Sequence, residues 1–217
     1  MDPASRTWRG ISDDIAPSEL IATAATALTT TLQYAKFFTR ASLNLGNRCA
    51  RYNAWMYPAE WEQHFRSEIP SLEKAGIRVI AAEPTQVILR APLEVHRNPH
   101  GTGFGGSQVS LCTLAGYVLA HEVARSLGLS VDVVVQRSRM EYKRPVRGDL
   151  LIAATPSAFD AKAVADSFRR RKLGIIRVQA RLQSVEEPND APIVASYFRA
   201  IYVAKLAGSA SEQPTGE

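Results

Sequence analysis

Cysteine is almost absent: the 217 residues hold only Cys49 and Cys112. A disulfide framework is therefore not expected, and a reducing compartment is. No apolar stretch reaches the roughly 20 residues that a membrane span needs. The nearest, Leu20 to Leu32, is short and broken by threonines. No apolar core follows Met1 to Gly10, so no secretory signal is expected. Aromatic residues make up 8% of the chain and are not interleaved with its basic clusters, which argues against a base-stacking surface for nucleic acid. Acidic residues are missing from Leu20 to Ala59, where Lys36, Arg40, Arg48 and Arg51 fall. That composition fits an organellar transit segment. Asp13, Asp14 and Glu19 just upstream oppose it, and an amphipathic helix docked on the domain is the alternative. The mitochondrial matrix and the cytoplasm both stay open as compartments. There is no internal repeat.

The hydrophobic share, 46%, is enough for one core and one domain with extensions. The net charge of +5 suits an anionic partner, such as a phosphate-bearing small molecule or an acidic carrier protein, or else merely keeps the protein soluble. Residues 1–57 read as an N-terminal extension, partly helical over Leu20 to Arg40. The domain proper spans 58–206, and 207–217 reads as a disordered tail.

Pro58 marks the first turn of a helix over Ala59 to Ala75, with Trp61, Phe65, Ile69 and Leu72 on one stripe. Pro70 is expected to kink it and Gly76 to close it. Ile77 to Ala81 and Val87 to Ala91 alternate around Glu83-Pro84-Thr85, which predicts a β-hairpin. Asn98 to Glu122 is the organising stretch. Gly101, Gly103, Gly105 and Gly106 form a glycine-rich loop, and Ser107 falls where a helix would begin. That helix is apolar nearly all round, so it is expected to be buried on several sides. Gly116 costs about 1 kcal/mol against alanine in a helix interior, which close approach of another backbone would explain. After Gly128 the period becomes two. Val131, Val133 and Val135, then Ser138, Met140 and Tyr142, predict one long strand. Leu151 to Ala154, Gly174 to Val185 and Ile193 to Val203 predict three more, with a helix or loop over Lys162 to Lys172. The expected class is α+β, with a curved antiparallel sheet wrapped around a long central helix.

This order, with Asn98-x-x-Gly101-Thr102-x-Phe104-Gly105-Gly106-Ser107, then Leu111, Leu114, Ala115 and Gly116, and Tyr142-x-x-Pro145-x-x-Gly148-Asp149, resembles the hotdog fold of acyl thioesterases and dehydratases. Within it the chain is most similar to a thioesterase family first noted as the C-terminal domain of a bacterial acetyltransferase fusion. The resemblance implies a homodimer or dimer of dimers, with acyl-CoA or an acyl carrier protein as partner. It also implies acyl-thioester sites at the dimer interface. No metal or other cofactor is expected.

The Gly106 N–H, at a helix N-terminus, would hold the oxyanion of a thioester under attack. Asn98 and Thr113 would orient the attacking water. Gly101, Thr102, Phe104, Gly105, Ser107 and Arg144 are the expected substrate-binding residues. Many hotdog thioesterases carry His-Gly-Gly where this chain has Phe104-Gly105-Gly106. Many also place a carboxylate where it has Thr113. His96 and His100 flank the loop as candidate bases, or as solvated surface residues. Glu122 is expected at the helix end in solvent, His121 in packing or an interface, and Cys112 in the core. Arg169 to Lys172, with Lys143, Arg144 and Arg147, offer cations for coenzyme A phosphates or an acidic carrier; a solvated basic surface is the alternative. The missing carboxylate and the basic extension motivate a second reading, in which a catalytically weak hotdog protein serves as an acyl-binding or scaffold subunit of a larger, mitochondrial assembly.

Overall fold

The structure, a computed structural model, describes residues 56–157, 161–171, 173–186 and 191–207. The expected helix over Leu20 to Arg40, Cys49, Lys172, the turn at Glu187 to Asp190 and the tail from Gly208 lie outside the described residues.

Helix α1 (Pro58–Glu68) begins at a proline, which suits a first turn. It ends seven residues short of Ala75. Pro70 lacks an N–H and forces Ile69 out of the helical region, to φ −127° and ψ 83°. A 3₁₀ turn (Pro70–Leu72) follows. Strands β1 (Arg78–Ala82) and β2 (Val87–Ala91) form the expected hairpin, closed by reciprocal Glu83 and Gln86 backbone bonds of 2.9 and 3.2 Å. A short helix α2 (Leu93–His96) leads through the glycine loop into the central helix α3 (Gly105–Ser126). Then come β3 (Val131–Tyr142), β4 (Asp149–Pro156), helix α4 (Ala161–Arg171), β5 (Leu173–Val185) and β6 (Ile193–Leu206). The six strands form one antiparallel sheet in the order β1-β2-β4-β5-β6-β3.

Alternation along each strand decides which face meets the helix. Leu89 of β2, Ile152 of β4, Val178 and Leu182 of β5, and Phe198 and Tyr202 of β6 all point inward and are buried. Helix α3 supplies Leu111, Leu114, Ala115, Val118, Leu119 and Val123 in return. It touches all six strands, as an all-round apolar helix requires. In β3 the inward set passes from odd to even numbers because a bulge falls between Val135 and Arg137. This bulge explains the break in period after Val135.

Gly116 does admit a close approach, but of a side chain and not of a backbone. The Tyr202 ring fills the notch, and its hydroxyl donates to the Thr113 carbonyl at 2.7 Å. The notch sets the distance between helix and sheet.

The far end of α3 is also not as expected. Glu122 is fully buried, where solvent was expected. Its Oε1 accepts from Trp61 Nε1 at 2.9 Å and from Arg125 Nη1 at 2.6 Å, so α1 is clamped to α3. Burial raises the Glu122 pKa against the opposing pull of Arg125 and Trp61. His121 packs edge-on to Tyr117 at 4.5 Å and lies 5.7 Å from the Trp61 ring. Burial, then Arg125 and His64, pull its pKa down from 6.5 to about 4. No helix among the described residues is long and apolar enough to cross a membrane.

Two predictions follow from this packing. Gly116→Ala forces a methyl into the Tyr202 ring; overpacking of about 1–3 kcal/mol outweighs the gain of about 1 kcal/mol in helix propensity. Urea unfolding should show a net loss. The unfolded chain protonates His121 at a higher pH than the folded one, since the folded pKa is depressed. Its stabilising contribution is therefore complete above 6.5 and is lost as pH falls through 6.5 toward 4. Melting temperature should fall over that window in the parent protein, and less steeply in His121→Phe.

Candidate active site

The glycine loop is held from within. Asn98 N–H donates to the Thr102 carbonyl at 2.7 Å, and Asn98 Oδ1 accepts from the amides of His100 (2.9 Å) and Thr102 (3.2 Å). Its Nδ2 donates to Thr102 Oγ1 at 3.0 Å. This is the self-bonded turn that asparagine favours. Gly101 completes it at φ 74°, a left-handed conformation that suits glycine.

Further bonds tie the loop to the sheet. Gly103 N–H donates to the Val146 carbonyl at 2.9 Å, and Phe104 N–H to the His96 carbonyl at 2.7 Å. Gln108, buried in the first turn of α3, donates from Nε2 to the Gly103 carbonyl at 3.0 Å. Its Oε1 accepts from Ser196 Oγ of β6 at 2.7 Å. Tyr142, at the end of β3, donates its hydroxyl to the Gly105 carbonyl at 3.0 Å. The loop thus hangs from β3, β6 and the β3–β4 connection at once.

These contacts shape an open groove of about 490 Å³, lined by Gly103, Gly105, Gly106 and Gln108 on one side and Tyr142 to Pro145 on the other. The amides of Gly105, Gly106 and Ser107 open the first turn of α3, where no preceding helical residue can accept from them. They carry the positive end of a 22-residue helix dipole. Phe104 folds back so that a Cβ on Gly106 would lie 2.5–3.2 Å from its ring. Glycine at 106 leaves room for that ring and leaves the amide uncovered by a side chain of its own. The cations Lys143 and Arg144 stand on the rim; Lys143 also pairs with Glu141 at 3.3 Å. Such a site can polarise a carbonyl at the amides and hold an anionic group at the rim.

The expected site residues therefore separate in space. Gly105, Gly106 and Arg144 line the groove. Asn98, Gly101 and Thr102 build the turn behind it, with every Asn98 side-chain bond made inside the loop. Phe104 lies over Gly106, and Ser107 is half-buried in the first turn. Thr113 is seven residues beyond Gly106 along α3 and outside the groove lining of this chain. His96 is buried with Nε2–H donating to the Ala75 carbonyl at 2.8 Å, while His100 is exposed. Cys112 is in the core, its thiol pushed up to about 12 by burial, so it stays a thiol at neutral pH. Arg169 to Arg171 end α4 and do not line the groove. Among the described residues no cluster of His, Cys, Asp and Glu could hold a metal ion.

Sequence reasoning passed over Gln108, whose signal was a lone polar side chain just inside an apolar helix. It placed Tyr142 in a motif without a role; the role is the bond to Gly105.

The fold and this glycine-rich helix start define a hotdog protein of thioesterase type. The family described as "Putative thioesterase (yiiD_Cterm)" matches residues 59–206, and the chain belongs to it. Solved structures agree on the fold. A protein from Chlorobaculum tepidum TLS is 23% identical, over 69% of this chain and 94% of that one, with a TM-score of 0.59. A protein from Shewanella oneidensis described as a putative thioesterase is 20% identical over 68% and 96%, also with a TM-score of 0.59. A thioesterase from Haemophilus influenzae is 17% identical over 71% and 94%, at 0.52.

Gln108→Leu would strand the Gly103 carbonyl and the Ser196 hydroxyl. A stranded buried group costs about 1–3 kcal/mol. Amide hydrogen exchange should quicken over residues 101–107 and stay unchanged in the β1–β2 hairpin.

Proposed function

We propose that this protein hydrolyses a fatty-acyl thioester of coenzyme A or of an acyl carrier protein. The observation that carries the reading is the free first turn of α3, with Gly106 at its tip, opening into a groove rimmed by Lys143 and Arg144. The thioester carbonyl oxygen lies against the Gly106 N–H. Water adds to the carbonyl carbon, and the oxyanion that forms is held by that amide and the helix dipole. The C–S bond then breaks. The thiolate departs with the proton that the water loses, leaving a carboxylic acid and a free thiol. A thiol of pKa about 8.5 is a good leaving group and needs little acid assistance. Lys143 and Arg144 take the phosphates of the carrier. Asn98 holds the loop that presents Gly106, and Thr113 of a second copy orients the water.

A homodimer fits this site. Among the described residues strand β3 is a sheet edge, bonded only to β6, and it exposes Val134 and Val135. Such an edge is a ready template for pairing with a second copy, which would bring a second α3, and its Thr113, beside the groove. The acid-free stretch from Leu20 to Ala59 supports import into the mitochondrial matrix, and the acidic residues ahead of it support the cytoplasm.

One observation favours the second reading, in which the protein binds acyl groups and turns them over weakly: no carboxylate among the described residues lines the groove. A single assay separates the two. Purified protein is given acyl-CoAs and acyl carrier proteins of increasing chain length, and free thiol is read. Turnover with a chain-length optimum is expected, reduced by roughly 100-fold in Gly106→Pro, which removes the amide proton in a first turn that tolerates proline, as when an oxyanion donor is lost. Asn98→Ala and Thr113→Ala should lower turnover while the protein stays folded. Acyl-CoA binding without turnover would instead establish the acyl-binding role.

A further inference from the structure

The face of the sheet turned away from α3 carries an unusual charge pattern. Register aligns its outward residues in rows across β5, β6 and β3. Leu173, Lys205 and Asp132 form the first row, and Ile175, Val203 and Val134 the second. Arg177, Ile201 and Arg137 form the third, Gln179, Arg199 and Arg139 the fourth, and Arg181, Tyr197 and Glu141 the fifth. Five arginines thus occupy three successive rows, all exposed. The carboxylate among them is Glu141, already bound to Arg139 and Lys143 at 3.3 Å each. Arg137, Arg177, Arg181 and Arg199 have no ion-pair partner among the described residues.

Arg139 stands directly opposite Arg199, and Arg177 is one diagonal step from Arg199. Like charges in cross-strand pairs destabilise a sheet. The fold thus keeps a self-repelling cationic array that contributes nothing to its core and meets the groove rim only where Glu141 links Arg139 to Lys143. Beside it the second row is apolar throughout, with Val134 62% exposed and Ile175 45%, and Leu173, 38% exposed, adds to it from a first row that also carries Lys205 and Asp132.

We propose that this sheet face docks on a membrane surface bearing anionic lipids. A membrane presents what the face presents in complement: a layer of phosphates, with hydrocarbon directly beneath. The apolar second row, with Leu173, would dip below the headgroups while the arginines, set about 7 Å apart along each strand and 5 Å across, meet the phosphates. Nucleic acid fits less well, because Tyr197 is the one aromatic side chain among these rows. A second copy of this face would repel it. So would the chain's own stretch from Leu20 to Ala59, which is cationic.

Full-length protein is sedimented with phosphatidylcholine vesicles, with and without phosphatidylserine. Binding is expected to the phosphatidylserine vesicles alone and to fall as salt is raised. Each of Arg137→Gln, Arg177→Gln and Arg199→Gln should weaken it by roughly fivefold, the worth of one basic residue near an anionic surface. Val134→Ser with Ile175→Ser should weaken it with the charge unchanged. Thermal melting of each variant reports folding, and removing a repelling arginine should leave it level or raised. No association with phosphatidylserine vesicles overturns the proposal. So do binding that all three arginine variants keep while folded, and association with a single-stranded oligonucleotide or an acidic carrier protein but not with vesicles.

Discussion

The Tyr202 ring in the notch at Gly116 sets where the central helix lies on the sheet. Any side chain at 116 would lift α3 off β6, and the loss of the hydroxyl bond to Thr113 would free it to slide. Everything at the other end of the helix follows from that seat. Gln108 can reach both the Gly103 carbonyl and the Ser196 hydroxyl only if the first turn lies at one height over β6. The Tyr142 bond to Gly105 depends on the same height. A contact in mid-helix therefore governs the geometry of a loop more than two turns away, as close-packed interiors transmit position without slack.

That geometry makes the helix start useful. Backbone amides at an N-terminus are positioned by the helix itself, so they need no reorganisation when negative charge develops. Glycines at 105 and 106 keep them clear, and Phe104 shields them from one side. Among the described residues no carboxylate lines the groove, so its electrostatics are those of amides and rim cations. Charge is distributed in the same sense on the outer face of the sheet, where Arg137, Arg177, Arg181 and Arg199 have no ion-pair partner among the described residues. The buried carboxylates Glu62 and Glu122 serve instead as anchors. Glu62 accepts from the Val79 amide at 3.0 Å beside the β1 bulge, and Glu122 clamps α1 to α3.

The hairpin, the four later strands and the buried helix were legible because each rests on local periodicity and on turn residues. So was the glycine loop, because Asn98 and Gly101 write a turn into a span of four residues. The helix after Pro58 was legible in its start but not its end, since proline's effect on Ile69 overrode a continuing apolar stripe.

Residue order alone determined the class of fold, the helix start that faces the groove and the basic character of the chain. Those properties come from neighbours in sequence, and chain stereochemistry reads them directly. The tertiary structure alone decided three things: that Gly116 receives a tyrosine, that Glu122 is a buried anchor, and that arginines from three strands share one face. The first two depend on contacts across 89 and 61 residues of chain, and the third on strand register. Alternation within a strand says which side chains share a face but not which strands will lie side by side.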